Sequence, residues 1–128
     1  MTEFAGDPNF PENREYWEAV AHERLLIKRC VSCEKPHYYP RAYCPFCGGE
    51  TQWEESKGKG EIYSYTVVRV GAEPYCPAYV TLDEGPTMIA VMVECDFDRL
   101  AVGDRVRVVF RRSARDGRML PMFTPSAD

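Results

Sequence analysis

Apolar positions along the chain fall into three regimes. Residues 11–23 carry them at helical spacing, with Tyr16, Trp17, Val20 and Ala21 on one face. Pro11 suits a first helical position, and Glu12 and Glu15 suit the positive end of a helix. Such a stripe is normally buried against the rest of the protein. Residues 25–53 begin as a short apolar strand, Leu25-Leu26-Ile27, and are then broken into turns by Pro36, Pro40, Pro45, Gly48 and Gly49. Residues 58–124 fall into short runs rich in β-branched and aromatic residues, one of which alternates with period two. Strands are expected over 61–70, 78–82, 87–94, 105–112 and 118–123, separated by turn signals at Asp83-Glu84-Gly85-Pro86 and Asp116-Gly117. In the fourth run Val106, Val108 and Phe110 alternate with Arg105, Arg107 and Arg111, which predicts an apolar inner and a basic outer face. Five short strands without an intervening helix predict a mainly β protein whose last unit is a five-stranded OB-fold barrel.

Composition changes this picture little. At 128 residues, 45% hydrophobic and 28% charged, the chain is an ordinary globular one. It has no apolar run of bilayer length. Its first residues lack a basic stretch followed by an apolar core, so a cytoplasmic protein is expected. A net charge of −4 speaks against a nucleic-acid or membrane partner.

The cysteines add chemistry. Four of the six form two C-x-x-C pairs, Cys30/Cys33 and Cys44/Cys47, with ten residues between them. Each pair can turn as a knuckle whose amides point at the thiolates. Two knuckles together supply the four tetrahedral sulfurs that a structural zinc accepts. A closed shell leaves no place for water or substrate, so such a metal holds structure and does not catalyse. Disulfides, a redox pair and an iron site are the alternatives. Cys44-Pro45-Phe46-Cys47-Gly48 resembles a rubredoxin knuckle, but rubredoxins space their pairs more widely. His37, between the pairs, reads as a turn residue. The chain thus divides into a helical segment (1–24), a zinc ribbon (25–55) and the barrel (56–128).

No catalytic constellation is visible. His22 and His37 are far apart, and no nucleophile elbow or metalloprotease motif is present. Cys76 and Cys95 read as small buried hydrophobes, and Glu94, Asp96 and Asp98 as solvated charges. The basic run of Arg105, Arg107, Arg111, Arg112, Arg115 and Arg118, with Arg69 nearby, offers guanidinium forks that match phosphates. A solvated strand edge is the plainer reading of it.

The order of helix, zinc ribbon and barrel resembles the DUF35 family, OB-fold proteins with a rubredoxin-like zinc ribbon. The matching pieces run through almost the whole chain. They include Tyr16-Trp17, Arg29-Cys30-Val31-Ser32-Cys33, Tyr39-Pro40-Arg41-Ala42-Tyr43-Cys44-Pro45-Phe46-Cys47, Trp53, the entry Gly58-Lys59-Gly60-Glu61-Ile62-Tyr63, Leu100-Ala101-Val102-Gly103-Asp104-Arg105-Val106 and Leu120-Pro121-Met122-Phe123. The resemblance implies a non-catalytic accessory subunit of an acyl-CoA enzyme. A thiolase-fold partner (thiolase, hydroxymethylglutaryl-CoA synthase or aldolase) or a hydratase would be expected. It also implies CoA or acyl-CoA as a ligand. Arg105, Arg107, Arg111 and Arg112 would then meet the CoA phosphates or an acidic face of the partner. Tyr63, Tyr65, Tyr75 and Tyr79 would be available to stack on adenine. A nucleic-acid-binding module is the alternative from another class, since zinc ribbons and OB-folds both occur there.

Overall fold

The structure, a computed structural model, describes residues 11–126. The first ten residues of the N-terminal segment and the last two of the barrel unit lie outside the described residues. A 3-10 turn at Pro11–Asn13 leads into α1, Arg14–Ala21. Tyr16, Trp17 and Val20 are buried, as the helical stripe predicts. Ala21 is exposed, however, and Ala19 takes its place in the interface. The helix stops two residues short of its expected end, where Glu23 adopts a left-handed backbone (φ 61°).

Beyond the helix, β1 (Leu26–Cys30) is central in a three-stranded sheet of order β2-β1-β3. Its partners are β2 (Pro36–His37) and β3 (Thr51–Glu55), both antiparallel. The barrel follows: β4 (Lys59–Tyr65), β5 (Cys76–Leu82), β6 (Thr87–Met92), β7 (Arg105–Arg112) and β8 (Met119–Pro125). It closes in the order β4-β5-β6-β8-β7. Every neighbouring pair is antiparallel except β6 and β8, which meet in parallel at Met92 and Phe123. The expected fold class is the observed one.

The first barrel strand ends five residues early, at Tyr65, and a bulge between Ile62 and Ser64 leaves Tyr63 outside. The alternation expected for β7 also holds only in part. Val106 is fully buried, but Val108 and Phe110 are half-buried and Val109, on the outer face, is buried. The reason lies in its neighbour. Val109 pairs with Met122 of β8, and β8 is buried from Leu120 to Thr124 because α1 lies against it. One apolar cluster therefore runs from Tyr16 and Val20 through Leu25 and Ile27 into Ile62, Leu82, Met92 and Phe123.

The helix is also tied to the ribbon through aromatic contacts. The hydroxyls of Tyr16 and Tyr38 are 2.8 Å apart, Trp17 Nε1 donates to the Tyr39 hydroxyl at 2.9 Å, and the rings meet edge to face. No helix among the described residues is long and apolar enough to cross a membrane.

Candidate metal centre and the arginine hairpin

The two knuckles are built alike. In the first, Cys30 N–H donates to Lys35 O and Glu34 N–H to Cys30 O, and Glu34 turns the chain with φ 63°. In the second, Cys44 N–H donates to Gly49 O and Gly48 N–H to Cys44 O, with φ 78° at Gly48. A left-handed residue thus stands four places after the first cysteine of each pair, where glycine is the unstrained choice. Gly49 fits for a different reason, a crowded site. A Cβ there would lie 3.0 Å from Ser32 Oγ and 3.1 Å from Cys30 Sγ.

These turns aim amides at sulfur. Ser32 and Cys33 N–H both donate to Cys30 Sγ at 3.3 Å, and Phe46 N–H donates to Cys44 Sγ at 3.3 Å. The amide of Cys33, helped by that of Ser32, pulls the Cys30 thiol down to about 6. The four sulfurs lie within 4.8 Å of one another, with Cys30 and Cys47 at 3.4 Å and Cys33 and Cys44 at 3.7 Å. A disulfide needs about 2.05 Å. Four thiolates around one zinc at about 2.3 Å would be about 3.8 Å apart. The donor set therefore fits a four-thiolate metal ion.

His37 is not among the clustered donors. It lies on β2 rather than in a turn, directly opposite Lys28 of β1. It is buried, and neither ring nitrogen has a hydrogen-bond partner among the described residues. Burial, with the positive charges of Arg41 and Lys28, lowers its pKa. Lys28 in turn sits over the Trp53 ring, 4.2 Å from its centroid. A neutral folded-state imidazole has a consequence for stability. The unfolded chain takes up its proton near about pH 6.5, and the folded chain resists doing so. Stability is complete above that pH and is shed as pH falls through it. His37→Phe should lose less melting temperature than wild type between about pH 7.5 and 5.5, a window that brackets the unfolded value. An equal loss in both would show that His37 does not set the acid response.

The arginines are less exposed electrically than their crowding suggests. Arg105 forms a bidentate pair with Asp83 at 2.9 and 2.8 Å. Arg111 holds Glu94 through two contacts, and Arg112 Nη1 donates to Gly117 O at 3.0 Å. Arg69 meets Asp98 at 2.6 Å, and the Arg118 guanidinium lies 4.6 Å from the Trp17 centroid. Glu94 and Asp98 are thus arginine partners rather than merely solvated charges. The paired guanidinium holds the Glu94 carboxyl below its ordinary range, and Arg105 does the same to Asp83. All of these pairs are partly exposed. Surface pairs contribute only about 0–1 kcal/mol, so an external anion can replace them at little cost. Arg107 is exposed on the same strand.

Two shallow apolar grooves flank the barrel. One, of about 210 Å³, is lined by Ser64, Tyr65, Thr66, Ala78, Tyr79 and Ile89. The other, of about 260 Å³, is lined by Tyr75, Val91, Val93, Glu94, Phe97 and Met122. Tyr63 and Tyr79 are exposed, whereas the Tyr65 hydroxyl is tied to Leu100 O at 2.7 Å. A larger cleft of about 460 Å³, between α1 and β3, is lined by Glu15, Glu18, His22, Trp53, Glu54 and Glu55. Sequence reasoning missed it, because β3 carries no clear strand signal. Cys76 is fully buried, which pushes its thiol up to about 11, and burial also raises Cys95. Neither thiol is activated.

Residues 17–54 match the family model described as the ChsH2 rubredoxin-like zinc ribbon domain. Residues 53–111 match the ChsH2 C-terminal OB-fold domain. A DUF35 domain-containing scaffold protein of Methanocaldococcus jannaschii is 34% identical over 110 residues, covering 79% of this chain and 78% of that protein. A protein of Thermomonospora curvata, described as a probable enoyl-CoA hydratase alpha subunit, is 32% identical over 122 residues. That alignment covers 90% of this chain but 38% of the relative. A solved structure described as an Ltp2-ChsH2(DUF35) aldolase superposes with a TM-score of 0.80 at 29% identity, covering 94% of this chain and 98% of the other. A DUF35 structure from Sulfolobus solfataricus shares the fold at a TM-score of 0.68 and 14% identity.

Proposed function

Because the chain belongs to the DUF35 family of zinc-ribbon OB-fold proteins, we propose that it is a non-catalytic accessory subunit of an acyl-CoA enzyme. Its partner in this reading has a thiolase-type fold. Cys30, Cys33, Cys44 and Cys47 hold one structural zinc, which shapes the ribbon and takes no part in the reaction. Arg105, Arg107, Arg111 and Arg112 supply positive charge to CoA phosphates or to an acidic face of the partner. The exposed rings of Tyr63 and Tyr79 supply faces for adenine. The observation that carries this reading is the near end-to-end superposition on a chain of the aldolase structure. The similarity to archaeal DUF35 domain-containing scaffold proteins supports it.

The purified chain alone should not cleave, condense or hydrate acyl-CoA esters. It should change the rate of a thiolase-like partner on mixing. Arg107→Ala combined with Arg111→Ala removes two charge-assisted contacts to such an anionic guest. Affinity for CoA or for the partner should fall by more than about a hundredfold. Zinc content should not change, since both side chains are exposed. Turnover by the isolated chain would overturn the accessory role. Unchanged affinity for both ligands would remove the arginines from it.

A further inference from the structure

Linkers between structural units are usually solvated and make few contacts, and relative motion of the units is the default. Here the linker Ser56-Lys57-Gly58, between β3 and β4, is bound on every side. Ser56 N–H donates to Leu25 O at 2.9 Å, at the entry to the ribbon. Gly58 O accepts from Val108 N–H at 2.7 Å, inside the barrel. The centre of the linker is held by one side chain on the β5–β6 turn. Ser56 Oγ donates to Glu84 Oε1 at 2.8 Å, and Lys57 N–H donates to Glu84 Oε2 at 2.9 Å. Gly58 N–H completes the chain by donating to Ser56 Oγ at 3.0 Å.

The same turn is anchored elsewhere. Asp83 N–H donates to Lys59 O at 2.9 Å, and the Asp83 carboxylate pairs with Arg105. At Gly85 a Cβ would come within 3.3 Å of Pro36 Cγ, so the turn packs closely on β2 of the ribbon. One turn therefore touches the linker, two barrel strands and the ribbon.

We propose that Glu84 is a clasp that, beside the apolar cluster shared by ribbon and barrel, fixes the linker and with it the ribbon's orientation, so that on the accessory-subunit reading both units meet a partner as one rigid surface. The carboxylate is suited to this role. It offers two acceptors to two donors of adjacent residues, and a charged acceptor makes stronger bonds than a neutral one. Ser56, which is buried, relays the hold to the next amide. Neither the zinc site nor the barrel ladder depends on Glu84, so its loss should loosen the junction and spare the two folds.

Hydrogen exchange on the full zinc-loaded chain separates these effects. In Glu84→Ala the Lys57 amide should exchange more than about tenfold faster, the loss expected for a charge-assisted hydrogen bond, and the Gly58 amide, held by Ser56 Oγ, should follow by a smaller factor. Amides in β1 and β7 should stay within about twofold of wild type. Trypsin should cut after Lys57 in native protein at a correspondingly higher rate. If Glu84→Ala does not fold, Glu84→Gln, which keeps one acceptor and loses the charge, carries the same comparison with a severalfold rise. Unchanged exchange at Lys57 would overturn the clasp. So would an equal rise across β1 and β7, which would make Glu84 a general stabiliser.

Discussion

Cys44→Ser is expected to empty the metal site and to unfold the ribbon. Cys44 Sγ is buried, accepts the Phe46 amide and stands 3.7 Å from Cys33 Sγ across the site. A serine oxygen at that position is neither a thiolate nor long enough to reach the same point. Three thiolates would leave the metal open to water and chelators. The consequence is large because metal binding supplies folding free energy in domains of this kind, about 10–16 kcal/mol in zinc-finger peptides. Beyond the β1–β3 ladder, the knuckle half of the ribbon has little else to hold it. Its β2 strand is two residues long, and the two knuckles consist of turns. The damage should then spread to α1, whose Tyr16 and Trp17 depend on Tyr38 and Tyr39. Elemental analysis should show less than about a tenth of the wild-type zinc, taking one decade as the minimum loss in affinity, and soluble yield should drop steeply. Cys76→Ser is the control. It buries a hydroxyl in the barrel and should cost stability while leaving the metal content at one per chain. A Cys44→Ser protein that keeps its full zinc would refute the four-thiolate assignment.

The two knuckles are readable in the sequence because their signal is local. A C-x-x-C pair needs only its own turn, and Gly48 and Gly49 announce the second one. The strand-rich barrel is readable for the same reason, since period-two alternation and the Asp116-Gly117 turn are short-range features. What escapes depends on residues that meet only in the fold. The β3 run Thr51-Gln52-Trp53-Glu54-Glu55 is charged and half-exposed, and becomes a strand by pairing with β1. Val109 reads as a surface position because α1, which covers that side of the β7–β8 pair, is some ninety residues away in the chain. The acidic partners of Arg105 and Arg111 are 22 and 17 residues distant, so the run of arginines reads as uncompensated charge. The placing of β8 beside β6 shows as one parallel register pair, Met92 with Phe123, which no local pattern encodes.

Gly60→Ala should be strongly damaging to the barrel. Gly60 pairs with Leu82 of β5 on one side and Val106 of β7 on the other. A Cβ there would fall 2.3 Å from Thr81 O and 3.0 Å from Leu82 Cα. Both are backbone atoms of a neighbouring strand, so no side chain can swing away to make room. Glycine inside a strand often marks such a close approach of two backbones. Relief requires β4 and β5 to separate where the barrel closes. That would strain the adjacent pairings Lys59 to Arg107 and Ile62 to Val80. Overpacking of this kind costs about 3 kcal/mol at its upper end. With roughly 4 °C lost per kcal/mol for a chain of this size, the melting temperature should fall by about 12 °C. Gly117→Asn separates crowding from backbone conformation. Gly117 has φ +75°, and a Cβ added there would meet nothing within 4 Å. Asparagine tolerates that backbone, so the loss there should be at most about 1 kcal/mol. Thermal melts of the two zinc-loaded variants provide the comparison. Equal losses would mean that the contact between β4 and the Thr81 carbonyl is not as close as the structure places it.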